Sequence, residues 1–269
     1  MNNKEILDYY NAGNSLAKTA RKSNLSVRQT RKLLTNLGCK IRSRHEQNIL
    51  ENMKRGKKID HNYFQNLDDK KAYCLGFLYA DGCVRPNRNE IKVGLSSIDR
   101  SWLEDFQKEL QSERAIRDYT TNKGFLVSEL VFSSLQIKSD LAKYGIVPYK
   151  TYKKGSLKAI PKDFRLAFIK GFVDGDGSII YYKNTNQAKL SIVSYDKNIL
   201  KDIKEYFNLP CSIWQNRQGN WTISYSTLPT IEICTELYNL NTPCLERKYK
   251  KFLEILEYRS SPRAKEPLE

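Results

Sequence analysis

Two aspartates carry the strongest chemical signal in this 269-residue chain. Asp81 and Asp176 each precede a glycine, Gly82 and Gly177, and each closes a segment that occurs twice. Ala72-Tyr73-Cys74-Leu75-Gly76-Phe77-Leu78-Tyr79-Ala80-Asp81-Gly82 aligns, 95 residues on, with Ala167-Phe168-Ile169-Lys170-Gly171-Phe172-Val173-Asp174-Gly175-Asp176-Gly177. Both segments read as helices, so each Asp faces the negative end of a macrodipole, a local cost of about 0.3–1 kcal/mol. One such Asp is an ordinary surface event. Two at equivalent positions, brought together when their helices pack, place like charges side by side and require cations to be tolerable.

The elements that must deliver these acids are written in the same repeat. Gly76 with Ala80, and Gly171 with Gly175, are small residues four apart on one helical face, a spacing that lets two backbones approach closely. Glycines 82 and 177 are expected in the left-handed conformation that caps a helix. Downstream the correspondence continues, with Ser97-Ile98-Asp99 against Ser194-Tyr195-Asp196 and Lys150 against Lys248. Alternation predicts strands over Glu90–Ser96, Phe125–Phe132, Lys189–Ser194 and Trp221–Ser226. Helical spacing marks Arg100–Leu110, Leu135–Tyr144, Lys197–Phe207 and Thr230–Tyr238. The class is α+β, as duplicated αββαββα units. Two copies are too few for a solenoid and imply halves related by a pseudo-twofold axis, 69–158 and 159–258.

Composition narrows the function further. The chain has 46 Lys plus Arg against 30 Asp plus Glu, a formal charge of +16, with two His and six Cys. Its 40% apolar residues suit a globular protein, not a disordered tail. The apolar stretches are short and the N-terminus is mixed polar and charged, so neither a spanning helix nor a secretion signal is expected; the protein reads as soluble, intracellular and cytoplasmic. The cysteines form no C-x-x-C pair and the histidines lie far from most of them, which argues against a zinc site or a His-based nuclease. Residues 1–60 alone carry +9, leaving +7 for the other 209. A basic arm of this kind points to nucleic acid.

Within that arm, three short helices fit residues 4–37. Gly13-Asn14 stops the first, Ser15 caps the second, and Ser26 caps the third, which ends at Gly38. The pattern resembles a helix-turn-helix, an all-α module over 1–45, in which the third helix enters the major groove. Arg28, Gln29 and Lys32 share one face and are the candidate base readers, with Ser26 and Arg31 on phosphate. Lys40, Arg42 and Arg44, with the basic run Lys54-Arg55-Gly56-Lys57-Lys58, can follow a phosphate backbone or a narrow minor groove. Residues 46–68 read as a basic linker, and the tail 259–269 reads as disordered.

Over about 70–258, the two repeated segments resemble the two copies of the LAGLIDADG motif in single-chain homing endonucleases. The second copy matches the motif closely. The first is looser, with Tyr79 where the second has Asp174; Lys170 and Cys74 also depart from the usual residues. The resemblance implies a DNA-binding saddle of two sheets along the major groove, with Asp81 and Asp176 as catalytic acids. It implies that Asp81, Asp176, Gly82 and Gly177 hold Mg²⁺, or another divalent cation such as Mn²⁺, and that a monomer makes a double-strand break with short 3′ overhangs. Lys150 and Lys248 match the family's basic residue near each centre, which positions solvent or stabilises the charged transition state. Ser97 and Ser194 match a position that contacts site water. Two other classes stay open: a DNA-binding regulator on the same scaffold that has lost cleavage, and an RNA-binding splicing cofactor whose partner is intron RNA.

Overall fold

The structure, a computed structural model, describes residues 1–44, 46–47, 50–51, 58–150 and 155–260. It divides into two units, residues 1–58 and 59–269. In the first, α1 (Asn3–Asn11), α2 (Leu16–Ser23) and α3 (Val27–Asn36) follow the punctuation of the sequence. Ser15 accepts a hydrogen bond from the Lys18 amide, and Ser26 closes a capping box with Gln29, each satisfying an otherwise orphaned amide. Ile6, Tyr10 and Leu34 form the small core beneath them.

The second unit is built around two helices that sequence periodicity gives no outer face. α4 (Asp69–Asp81) is buried from Ala72 to Leu78, and α7 (Arg165–Asp176) from Ala167 to Asp174. An element apolar on all sides must lie inside, and these two lie against each other. The small residues explain how closely. A Cβ on Gly76 would collide with the Phe168 carbonyl oxygen, one on Gly171 with the Tyr73 carbonyl oxygen, and one on Gly175 with the Ala80 methyl. Backbone therefore touches backbone, and any side chain at Gly76 or Gly171 would force the pair apart.

Each central helix leads directly into an antiparallel sheet. In the first half, β1 (Gly82–Val84), β2 (Glu90–Ser96), β3 (Arg117–Thr120) and β4 (Leu126–Ser133) are ordered β1-β2-β4-β3, with α5 (Arg100–Glu109) and α6 (Leu135–Lys143) following the hairpins. In the second, β5 (Gly177–Tyr182), β6 (Gln187–Ser194), β7 (Ser212–Gln215) and β8 (Trp221–Tyr225) repeat the order as β5-β6-β8-β7, with α8 (Lys197–Phe207) and α9 (Thr227–Asn239). Alternation sets which face is covered: Ile91, Val93 and Leu95 on β2, and Ala188, Leu190 and Ile192 on β6, point into one continuous core. The opposite faces are half-buried to exposed along β2 and β6, whereas Thr222 and Ser224 on that face of β8 are buried. A further helix, α10 (Glu246–Ser260), closes the second half.

Four expectations change. Gly82 (φ −73°, ψ 142°) and Gly177 (φ −88°, ψ 159°) are extended strand residues, not left-handed caps. Glycine is needed there for space, because a Cβ would stand 2.5 Å from the Leu78 carbonyl oxygen and collide with that of Val173. The linker is shorter than 46–68: Tyr63 and Phe64 are buried in the second unit's core, and the Asp60 amide bonds the Leu110 carbonyl. Arg44, Glu46, Gln47, Leu50 and Glu51 are helical. At the other end Arg259 and Ser260 belong to α10, while 261–269 lie outside the described residues, as do His45 and the basic stretch 54–57. The short strands β1, β3, β5 and β7 were not legible as alternation, three or four of their residues being too few to show a period or, in β5, being interrupted by glycine and tyrosines.

Candidate active site

The paired helices deliver both acids to one place. Asp81 is the last residue of α4 and Asp176 the last of α7. Asp81 Oδ2 lies so near α7 that a Cβ on Gly175 would stand 3.1 Å from it. Both side chains reach solvent at the bottom of a recess walled by helix ends, lysines and strand starts. Partial burial raises both carboxyls, Asp176 to about 6, and the neighbouring Asp81 charge adds to that rise. Lys248 and Lys150 act in the opposite direction on both.

The lysines occupy the C-terminal ends of the two helices, where carbonyls lack intrahelical partners. Lys150 Nζ donates to the Ala80 carbonyl at 2.8 Å. Lys248, on the first turn of α10 and almost fully buried, donates to the carbonyls of Val173 (2.8 Å), Asp174 (2.5 Å), Gly175 (3.4 Å) and Gly177 (2.6 Å). Each cation thus compensates both a macrodipole and an aspartate at its negative end. Burial lowers Lys150, and lowers Lys248 to about 8 against the raising influence of the aspartates. Electrostatically each lysine faces across the axis: Asp176 acts most strongly on Lys150, and Lys248 most strongly on Asp81.

On one side of the axis the recess opens into a cavity of about 270 Å³, lined among others by Asp176, Lys150, Ser194, Asp196 and Asn220. Ser194 accepts from the Asp196 amide at 3.1 Å. The Oγ of its counterpart Ser97 lies 3.2 Å from that of Ser128, which donates to Asp118 at 2.6 Å. The two serines that the repeat equates therefore stand in different surroundings.

Residues that sequence reasoning left without a role hold this arrangement. Asp174, buried, accepts from Tyr73 of the opposite helix (2.8 Å) and from the Leu245 amide (2.9 Å), while Trp102 donates to Tyr73 (3.0 Å). It therefore ties the helix pair to the loop that launches α10 and Lys248. Buried Asp99 holds Arg247, whose Nε lies 3.0 Å from both carboxylate oxygens. Asp196, its counterpart, accepts instead from the backbone amides of Gly155 and Asn198. Asp99 and Asp196 were visible as a repeated pair, and Arg247 stands beside Lys248. The repeat was the available signal, but it does not say which residue crosses between halves.

A metal site must be judged on its donors. Among the described residues, no three His, Cys, Asp or Glu side chains cluster. Asp81 and Asp176 are two hard oxygen donors whose mutual repulsion a cation would relieve. They fit Mg²⁺ or Mn²⁺ where water and phosphate complete the coordination. The Gly177 carbonyl, expected as a ligand, is engaged by Lys248. Gly82 begins β1 and pairs with Val93.

In the N-terminal unit Arg28, Gln29, Arg31 and Lys32 are exposed on α3, and Lys40 and Arg44 are exposed beyond it. Ser26 and the Gln29 side chain are engaged with each other in the capping box. Arg42 packs inward, 3.9 Å over the Tyr10 ring, and bonds the carbonyls of Tyr10 and Asn14 and the Gln47 side chain. Three of these basic residues are on α3 and free to face a ligand; Arg42 is a strut.

Residues 163–256 match the sequence profile of the LAGLIDADG-like domain. The chain is 24% identical over 178 residues to uncharacterized protein MJ0314 of Methanocaldococcus jannaschii, spanning 63% of this chain and 62% of that one. It is 30% identical over 154 residues to an A-type ATP synthase subunit of Pyrococcus abyssi, spanning 55% of this chain and 14% of that one. The match thus covers less than two thirds of either relative. Among solved structures, the LAGLIDADG meganuclease I-AabMI bound to uncleaved DNA superposes with a TM-score of 0.52 at 14% identity, covering 74% of this chain and 92% of that one. The I-LtrWI homing endonuclease bound to target DNA gives 0.50 at 14% identity, covering 76% and 92%. I-SmaMI, bound to an uncleaved DNA target with calcium ions, gives 0.50 at 14% identity, covering 74% and 95%. Residues 163–256 are thus similar to the LAGLIDADG-like domain, and the duplicated unit that contains them has the fold of the LAGLIDADG homing endonucleases.

Proposed function

We propose that the protein is a site-specific endodeoxyribonuclease that binds duplex DNA along its two open sheet faces and cuts both strands beneath the ends of α4 and α7, leaving short 3′ overhangs. The observation that carries this reading is the meeting of Asp81 and Asp176 at equivalent helix ends, each beside a lysine. Two acids held together in this way are a liability for folding unless a cation or a substrate uses them.

Asp81 and Asp176 would hold Mg²⁺ or Mn²⁺ together with phosphate oxygens of the two strands. Bound there, the cation supplies a more acidic water and charge stabilisation at the scissile phosphate. The protein's own groups do the rest. Lys150 and Lys248 place positive charge beside the phosphates and keep the aspartates ionised. The cavity beside Asp176 has room for ordered water, with Ser194 and Asn220 as polar walls. The exposed α3 residues Arg28, Arg31 and Lys32 add a second, largely electrostatic grip on DNA.

The test is cleavage of a randomised or genomic duplex library in Mg²⁺ and in EDTA. Wild type is expected to release double-strand breaks in Mg²⁺ alone. Asp81→Asn and Asp176→Asn should each slow cleavage by roughly two orders of magnitude or more, equivalent to several kcal/mol of transition-state stabilisation, while still binding the selected duplex. Binding without cutting by wild type would favour a regulator, and preferential binding of structured intron RNA a splicing cofactor. Cleavage by Asp176→Asn at the normal rate would place the active site elsewhere.

A further inference from the structure

The pseudo-twofold axis relates Lys150 to Lys248, and so relates Tyr149 to Arg247 and Asp196 to Asp99. The acids of the second pair are spent differently. The Asp196 carboxylate accepts from backbone amides, whereas the buried Asp99 carboxylate is spent on a guanidinium from the opposite half. Arg247 engages Asp99 through Nε, and its side chain remains 51% exposed. It makes no other hydrogen bond to the described residues through Nη1 or Nη2, which remain available to a ligand. An arginine gripped by a buried carboxylate is pre-oriented, and a planar fork held in this way suits a phosphate's paired oxygens better than a free side chain would. On the other side of the axis Tyr149 is exposed and carries no charge.

We propose that Arg247, oriented by Asp99, binds a non-bridging oxygen of the scissile phosphate on the strand served by Asp81 and Lys248, and that among the described residues the strand served by Asp176 and Lys150 meets no such held guanidinium. The two strands are then cut at unequal rates, the Arg247-side strand first, so that wild type passes through a nicked duplex of one defined polarity. This rests on the endonuclease reading above. It goes beyond it in giving the two half-sites different machinery and naming the residue responsible.

The experiment uses the full chain and a duplex recovered from the library by wild type, its two strands carrying different end labels, in Mg²⁺. Wild type is expected to show one nicked strand ahead of the other. Arg247→Gln should slow that strand about tenfold or more and leave the other within about twofold, while Arg247→Lys, which keeps the charge but loses the fork, should fall between them. Asp99→Asn, which keeps Arg247 but loosens it, should slow the same strand. A general structural loss would slow both strands alike, and thermal unfolding of each variant measures that loss separately. Equal slowing of both strands, no slowing of either, or full activity of Arg247→Gln on the first-cut strand would overturn the assignment while leaving the nuclease intact. Failure of wild type to cut any duplex in Mg²⁺ or Mn²⁺ would overturn the endonuclease reading itself, and the role of Arg247 with it.

Discussion

The two half-sites share an ancestry of sequence and differ in construction. On the Asp81 side Asp99 holds Arg247, and Lys248, seated on four carbonyls at the end of α7, faces Asp81 across the axis, while Asp174 bridges Tyr73 to the loop before α10. On the Asp176 side lies a cavity of about 270 Å³, and Lys150, which faces Asp176 across the axis, donates among the described residues to one carbonyl, that of Ala80 at the end of α4. Duplication has kept the groups nearest the chemistry, acid and lysine, and released those that hold them. The first-half counterpart of Asp174 is Tyr79, whose ring packs edge-on against Phe168 and Phe172 in place of a buried carboxylate network. The same position is thus solved once by hydrogen bonding and once by aromatic packing.

The sharpest way to break this comparison is to remove each lysine without leaving a cavity. Lys248→Met strips four backbone oxygens of their shared donor in a buried place and is expected to cost about 2–3 kcal/mol of stability. Lys150→Met, half-buried with one bond, should cost about 1 kcal/mol or less. Urea unfolding of the two variants measures the difference, and equal costs would mean the half-sites are equivalent in structure.

Acidity offers the next test. In the proposed reaction Asp176 must be ionised to bind a cation, so cleavage should rise with pH through the region of its carboxyl, near 6. Loss of the Lys248 proton should lower it again above about 8. Cation binding competes with the proton on Asp176 and will move the acid limb downward as Mg²⁺ is raised. A pH–rate profile at two Mg²⁺ concentrations checks both limbs, and Lys248→Met should remove the alkaline one.

A smaller effect concerns stability alone. Because the Asp176 carboxyl is raised by folding, it holds its proton more firmly in the native state than in the unfolded chain. Its penalty is absent below about pH 4 and fully present above about pH 6. Asp176→Asn in the metal-free protein should therefore raise the melting temperature at pH 7.5, by a few degrees at most, and confer little at pH 4. A variant melting at or below wild type at pH 7.5 would mean that the neighbouring lysines already neutralise the acid.

Much of this was written in one dimension. The αββαββα repeat, the contact of Gly76 and Gly171 with the opposite backbone, and the placement of Asp81 and Asp176 at helix ends follow from spacing, because helix faces and small residues impose their geometry locally. The caps at Ser15 and Ser26 were equally legible for the same reason. Less was readable where long-range placement decides. Gly82 and Gly177 looked like left-handed caps, but the chain turns straight into a strand, and only the nearby carbonyls of Leu78 and Val173 explain why no side chain fits. Tyr63 and Phe64 lay in an apparent linker because two aromatics show no period. Arg42 looked like one more basic contact until Tyr10 was found beneath it.

The sequence by itself determined that two acids would be paired, since a repeated helix with small residues on one face has a single economical way to pack. It could not determine that one acid would sit in an open cavity and the other beside a buried carboxylate gripping Arg247. That outcome depends on α10 and on loops far apart in the chain, whose side chains meet only when both halves have closed around the same axis.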